Sequence, residues 1–103
     1  MKWQTTPRFS TDWKRLPAEH RRLFKDLIAA FSLACDAYVS SPRGYRWPAA
    51  LRVSPMKSAP GIWEMTWSFS GPDGRATFEF VDVDGETRVR WRRIGDHGIY
   101  GSP

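Results

Sequence analysis

Between Trp63 and Arg92 apolar and polar side chains alternate almost without a break, and a sheet with one buried face is the structure this pattern suits. Trp63, Met65, Trp67 and Phe69 alternate with Glu64, Thr66, Ser68 and Ser70; Ala76, Phe78 and Phe80 with Arg75, Thr77 and Glu79; Val89 and Trp91 with Arg88, Arg90 and Arg92. Successive strand residues point to opposite faces, so a period of two sorts the two sets onto two sides. Gly71-Pro72-Asp73-Gly74 reads as the first turn. Val83-Asp84-Gly85-Glu86 reads as a two-residue hairpin, because Asp-Gly takes the positive φ of a type I′ turn at little cost. With Asp84-Gly85 fixed, Phe80 faces Val89, Phe78 faces Trp91 and Ile94 faces Arg75. A four-residue first turn puts Phe69 opposite Ala76, Trp67 opposite Phe78 and Thr66 opposite Glu79. All the apolar residues then share one face, as burial requires, and the other face is polar and rich in arginine.

The apolar face needs a cover. Pro17 suits a first helical position, and from there to Val39 apolar residues recur at Leu23, Phe24, Leu27, Ile28, Phe31, Cys35 and Tyr38. That is helical spacing, with Arg21, Arg22, Lys25 and Asp26 on the other side. Upstream, Thr5–Phe9 can form a short strand, and Ser10-Thr11-Asp12 offers cap oxygens for a turn carrying Trp13 and Leu16. Ser40 to Pro60 holds four prolines and Gly44 and reads mostly as loop, with room for a short strand or turn around Leu51–Val53. The expected fold is α+β: a small antiparallel sheet, made of an N-terminal strand and a C-terminal three-stranded meander, with N-terminal helices on one face. At 103 residues the chain is expected to be one domain, residues 1–103. Six tryptophans supply apolar area enough to fold without metal or disulfide. The single cysteine, Cys35, reads as a core filler in a reducing compartment.

The formal net charge is +5. A basic chain favours a polyanionic partner such as RNA, DNA, a ribosome or an acidic protein, because phosphate contacts release counterions. No apolar run reaches the roughly 20 residues of a membrane span and no signal-peptide block opens the chain, so the expectation is a cytoplasmic protein without a membrane partner. No phosphate-binding glycine loop, zinc spacing or Ser-His-Asp arrangement occurs, and no cofactor is expected. Asp82, Asp84 and Glu86 belong to the hairpin rather than to a cation site.

Three segments in order resemble a known family. Gly61-Ile62-Trp63-Glu64-Met65-Thr66-Trp67 is similar to the "G-aromatic-Glu-apolar" second strand of the RelE/ParE toxin superfamily. Gly74-Arg75-Ala76-Thr77-Phe78 resembles its "G-x-R-x-x-aromatic" third strand, and Arg93-Ile94-Gly95-Asp96-His97-Gly98-Ile99-Tyr100 its terminal "R-I-G-x-H-x-x-Y". The resemblance spans nearly the whole chain. It implies the toxin of a type II toxin–antitoxin pair, neutralised by a cognate antitoxin and acting as an endoribonuclease on mRNA in the ribosome. The alternatives it leaves are a poison of DNA gyrase without nuclease activity and a diverged nucleic-acid-binding domain of the same fold. Cleavage in the family needs no metal: a ribose 2′-OH attacks its own phosphate, helped by a base, a cation and an acid. By position the resemblance makes Arg75 the phosphate-stabilising arginine, puts His97 or Tyr100 near the leaving oxygen, and offers Glu64 as base. Family members that depend on the ribosome carry lysines where this chain has Glu64 and Thr66.

Each residue also has a plainer reading. Arg75 could be a solvated strand residue, Glu64 a structural one, His97 a turn residue and Tyr100 a cap on the core edge. Arg90, across from Glu79, could form a cross-strand salt bridge or touch RNA. Arg88, Arg92 and Arg93 read as affinity residues for RNA, and Arg52 and Lys57 extend that basic surface. Tyr45 and Trp47, between Arg43 and Arg46, could stack bases or anchor the loop.

Overall fold

The computed structural model describes residues 1–67 and 74–103. The expected first turn and the Phe69–Ala76 pairing fall in residues 68–73 and lie outside the described residues. Strands β1 (Trp3–Thr5), β2 (Val53–Pro55), β3 (Trp63–Trp67), β4 (Gly74–Val83) and β5 (Glu86–Gly95) make one sheet in the order β1-β5-β4-β3-β2. Helices α1 (Pro7–Arg15) and α2 (Ala18–Ser40) cover its apolar face. Short 3₁₀ turns span Ala49–Leu51 and His97–Gly101. The α+β class is as expected, but the sheet is mixed rather than antiparallel, since β1 runs parallel to β5 and β2 joins the far edge of the meander.

The N-terminal expectation is corrected by one residue pair. Thr6 and Pro7 start a helix, not the middle of a strand: the Thr6 hydroxyl accepts from the Phe9 N–H at 3.1 Å, and Pro7 occupies the first turn. The strand is therefore Trp3–Thr5, and Asp12 is free for another task. Where β1 ends, the edge of β5 would expose backbone groups. The Thr6 hydroxyl donates to the Arg92 carbonyl at 2.8 Å, and Asp12 Oδ2 accepts from the Ile94 N–H at 3.2 Å. Asp12 also takes the Arg93 fork, at 2.6 and 3.1 Å.

In the core, the Trp91 indole lies against Phe24 and Phe31 of α2 and Phe78 of β4, with ring centroids 5.1, 4.8 and 5.3 Å away. Trp67, Phe78 and Trp91 are buried and Trp63 packs against the cluster, as the alternation predicts. The helical stripe behaves likewise, with Phe24, Phe31 and Cys35 buried. Burial, with Asp36 adding, pushes the Cys35 thiol up to about 12, so it stays protonated.

Two register expectations fail, for different reasons. Phe80 faces Val89 and Phe78 faces Trp91 as read, but the next pair is Thr77 with Arg93, leaving Arg92 as an extra residue on β5. This β-bulge reverses the parity of the strand beyond it. Ile94 consequently lies opposite Ala76 and is buried, and Gly95, not Ile94, lies opposite Arg75. In the first hairpin, Trp67 faces Gly74, Thr66 faces Arg75, Glu64 faces Thr77 and Trp63 faces Phe78. The pairs expected, Trp67 with Phe78 and Thr66 with Glu79, are displaced by four residues. An even displacement keeps every side chain on its face, so the alternation alone could not detect it. The Trp67 indole fixes the observed register by lying over Gly74, where any Cβ would fall inside the ring.

Asp12 joins α1 to the bulged end of β5, and its Arg93 partner is mostly buried. Removing one member of such a pair strands a charge, so Asp12→Ala should lower stability by about 3 kcal/mol. Urea unfolding, with an unchanged m-value, measures it.

Candidate functional site

The displaced hairpin register assembles the site. In the register expected from the alternation, Glu64 would face Val81, about 20 Å along β4 from Arg75 at roughly 3.3 Å per residue. In the structure Glu64 faces Thr77 and Thr66 faces Arg75, which brings the carboxylate and the guanidinium to one end of the sheet. The 3₁₀ turn His97–Gly101 follows β5 back to that end and sets Tyr100 over Arg75, whose guanidinium carbon is 5.9 Å from the ring centroid. The Asp96 side chain caps this turn by accepting from the Gly98 N–H at 2.8 Å. Arg52, Val53, Ser54, Glu64, Thr66, Arg75 and Tyr100 together line a solvent-open cleft of about 440 Å³.

Within the cleft Glu64 is the hub. The Ser54 hydroxyl, directly across the β2–β3 pair, donates to Glu64 Oε1 at 3.2 Å. The Tyr100 hydroxyl donates to Glu64 and is hydrogen-bonded to Thr66 as well. Burial, reinforced by the Glu64 hydrogen bond and charge and opposed by Arg75 and Thr66, pushes the Tyr100 phenol up to about 12. Tyr100 is therefore a proton-bearing phenol throughout the physiological range. Chemically, the cleft sets an acceptor of protons, a donor of protons and a delocalised cation around one space. Ser54 escaped the sequence reading because a three-residue strand carries too little pattern to reveal its partner.

Of the residues singled out in the sequence, Glu64, Arg75, Tyr100 and Arg52 come together here. His97 opens the 3₁₀ turn, and its side chain lies outside the described residues. Lys57 is exposed in the loop between β2 and β3, outside the lining of the cleft. The four arginines of β5 are committed to carboxylates. Arg88 meets Glu86 at 3.3 Å, Arg90 and Arg92 share Glu79 at 3.1 and 2.6 Å, and Arg93 meets Asp12. The carbonyls of Ser102 and Pro103 accept from Arg93 and Arg92 in addition, so the chain's last residues lie over this part of the polar face. Tyr45 and Trp47 pack on Tyr38 and on each other, with Trp47 5.7 Å from Trp63, and so anchor the loop.

A mixed sheet with two helices on one face and a cleft that joins Glu64, Arg75 and Tyr100 is an α+β arrangement whose fold is similar to that of a solved toxin structure. A solved structure described as a YoeB/ParE toxin from Agrobacterium tumefaciens is similar over 94% of this chain and 99% of its own, with a TM-score of 0.52 and 14% sequence identity. At that identity the likeness is one of fold. Comparison with protein-family models and with curated proteins finds no match.

Glu79 offers a check on the arginine pairing. Its burial opposes ionisation, but the hydrogen bonds and charges of Arg92 and Arg90 outweigh that and hold the carboxyl below its usual value of 4.5. A depressed carboxylate stabilises the fold above its usual value, and that stabilisation is lost as pH falls through the lower, folded value. Thermal melting of the native chain against Glu79→Gln should show the native chain ahead by a few degrees near neutrality. The gap should narrow as pH falls below 4.5 and close beneath the lower, folded value.

Proposed function

We propose that the protein is the toxin of a type II toxin–antitoxin pair and that it cleaves mRNA as an endoribonuclease. The observation that carries this reading is the meeting of Glu64, Arg75 and Tyr100, from three separate elements, in one open cleft. In this reading Arg75 holds the scissile phosphate through a planar fork suited to two oxygens. Glu64 takes the proton of the ribose 2′-OH as that oxygen attacks phosphorus. The bond from phosphorus to the 5′-oxygen breaks, and Tyr100 or His97 returns a proton to the leaving oxygen. The products are a 2′,3′-cyclic phosphate and a free 5′-hydroxyl. Since Tyr100 donates to Glu64 in the unliganded cleft, bound RNA must part them, which frees the carboxylate to act as base and the phenol to act as acid. The cytoplasm, where mRNA is translated, is the place of action in this reading.

A toxin of this kind has an antitoxin partner. An open groove of about 540 Å³ lies between β1, α1 and α2, walled by Trp3, Phe9, Trp13, Phe24 and Ile28 and edged by Lys14 and Lys25. An acidic amphipathic segment fits it, with apolar side chains among the aromatics and carboxylates on the lysines.

Expression of the chain alone should arrest bacterial growth and leave mRNA fragments with mapped internal ends. Arg75→Ala and Glu64→Gln should each slow cleavage by about 10²–10³ while melting like the native chain. His97→Ala should slow it by roughly 10²–10⁴ if His97 is the acid. Arrest with intact mRNA and DNA double-strand breaks would replace this reading with gyrase poisoning.

A further inference from the structure

Glu64 accepts from two hydroxyls that reach it from different elements. The Ser54 hydroxyl comes from β2, at 3.2 Å from Oε1, and the Tyr100 hydroxyl from the 3₁₀ turn after β5. In the ribonuclease reading the Tyr100 contact is temporary, because bound RNA parts the two side chains. The Ser54 contact has no such reason to break. Ser54 lies directly across from Glu64 on the neighbouring strand, on the side of β3 away from β4.

Ser54 is exposed, yet its place is fixed. Leu51 before β2 and Met56 after it are buried, and Val53 pairs with Met65. The Met56 N–H donates to the Ile62 carbonyl at 2.9 Å, which holds the chain beyond the strand as well. A serine hydroxyl depends on one side-chain torsion, so a fixed backbone leaves it few positions. Glutamate has three torsions and much rotamer freedom to lose. The short side chain is therefore the anchor and the long one is what is anchored.

A general base needs such an anchor, since its oxygen must sit within about 2.6–3.2 Å of the hydroxyl it deprotonates. A competing position lies on the other flank. Arg75, on β4, faces Thr66, which is the next residue of β3 on the same side as Glu64. A guanidinium fork draws carboxylates strongly, and a base drawn onto it leaves its working position. Ser54 holds Glu64 from the opposite side and opposes that drift.

We propose that Ser54 is a positioning residue, whose hydroxyl holds Glu64 Oε1 on the β2 side of the cleft. Oε2 then stands ready to take the proton of the ribose 2′-OH once Tyr100 has been drawn off. Ser54 acts through Glu64 and touches no reacting atom. Its contact survives the transfer, because a protonated carboxyl keeps an acceptor for the hydroxyl. This rests on the ribonuclease reading above.

The test is cleavage of a labelled mRNA in a bacterial translation mixture with the chain in excess, read as a saturated rate and a half-saturating concentration. Ser54→Ala should lower the saturated rate about 10-fold, the low end of what a hydrogen bond to a charged group contributes. The half-saturating concentration and the melting temperature should stay native, because neither binding nor the fold uses the hydroxyl. Ser54→Thr, which keeps the hydroxyl, should cut at the native rate. In a Glu64→Gln chain, adding Ser54→Ala should cost nothing more, since the base it positions is gone. A native rate in Ser54→Ala overturns the role of Ser54 and leaves the nuclease reading standing. So does a loss that Ser54→Thr fails to restore, or one that recurs in full beside Glu64→Gln, since either marks a merely structural contact. A native chain that leaves the mRNA intact, or a Glu64→Gln chain that cuts at the native rate, overturns the reading of Glu64 as base and this inference with it.

Discussion

The packing of Trp91 is the constraint on which the rest of the structure depends. Its indole is 1% exposed and meets aromatic rings from α1, α2 and β4 at once. Those contacts set how far each helix stands from the sheet. They also force the strand to resolve a conflict two residues later. With Val89 and Trp91 turned inward, strict alternation would bury Arg93 and expose Ile94. The bulge at Arg92 lets Trp91 and Ile94 both face the core, and it puts Arg92 and Arg93 side by side at the open edge. There Glu79 and Asp12 receive them, and Asp12 serves the Ile94 N–H in the same stroke. One bulge thus decides the packing of the core end, the docking of α1 and the position of the turn bearing Tyr100.

Much of this was legible in the sequence, because burial imposes a period that residues must obey. The helix over Pro17–Val39, the Asp84-Gly85 hairpin and the inward tryptophans all follow from period and turn chemistry. The bulge left a trace as well: after Val89 and Trp91, the apolar residue comes at 94 rather than 93. Placing Ile94 opposite Arg75 overlooks that break in phase. The register of β3 against β4 left no such trace, since an even displacement changes no face. It is set instead by the Trp67 ring over Gly74, a long-range packing fact to which a period is blind.

The same distinction applies to the cleft. Glu64, Arg75 and Tyr100 could be named from sequence only through a family resemblance, because each alone is an ordinary residue. Their convergence depends on the hairpin register and on the 3₁₀ turn, and neither is encoded locally. Ser54 belongs to β2, three residues long, whose pairing is dictated by Leu51 and Met56, buried on either side. That strand brings Ser54 to Glu64, and Arg52, just before it, lines the same cleft as Arg75, so the proline-rich loop is what completes the cleft.

The arginine pairing changes what the net charge of +5 means. A guanidinium engaged by a carboxylate still contributes to the field of the protein, and Glu79, serving Arg90 and Arg92 together, leaves that cluster net positive. Such a cluster can draw a polyanion toward the face from several ångströms away. It cannot offer its full hydrogen-bonding fork without first breaking a pair, and that costs what the pair contributes. On the proposed function, attraction and grip would fall to different residues of one face. In the reading proposed above, the paired arginines of β5 would supply the field that draws a strand in. The guanidinium of Arg75 would, in that ribonuclease reading, hold a phosphate in the cleft beside Glu64, where the proton acceptor and the proton donor meet.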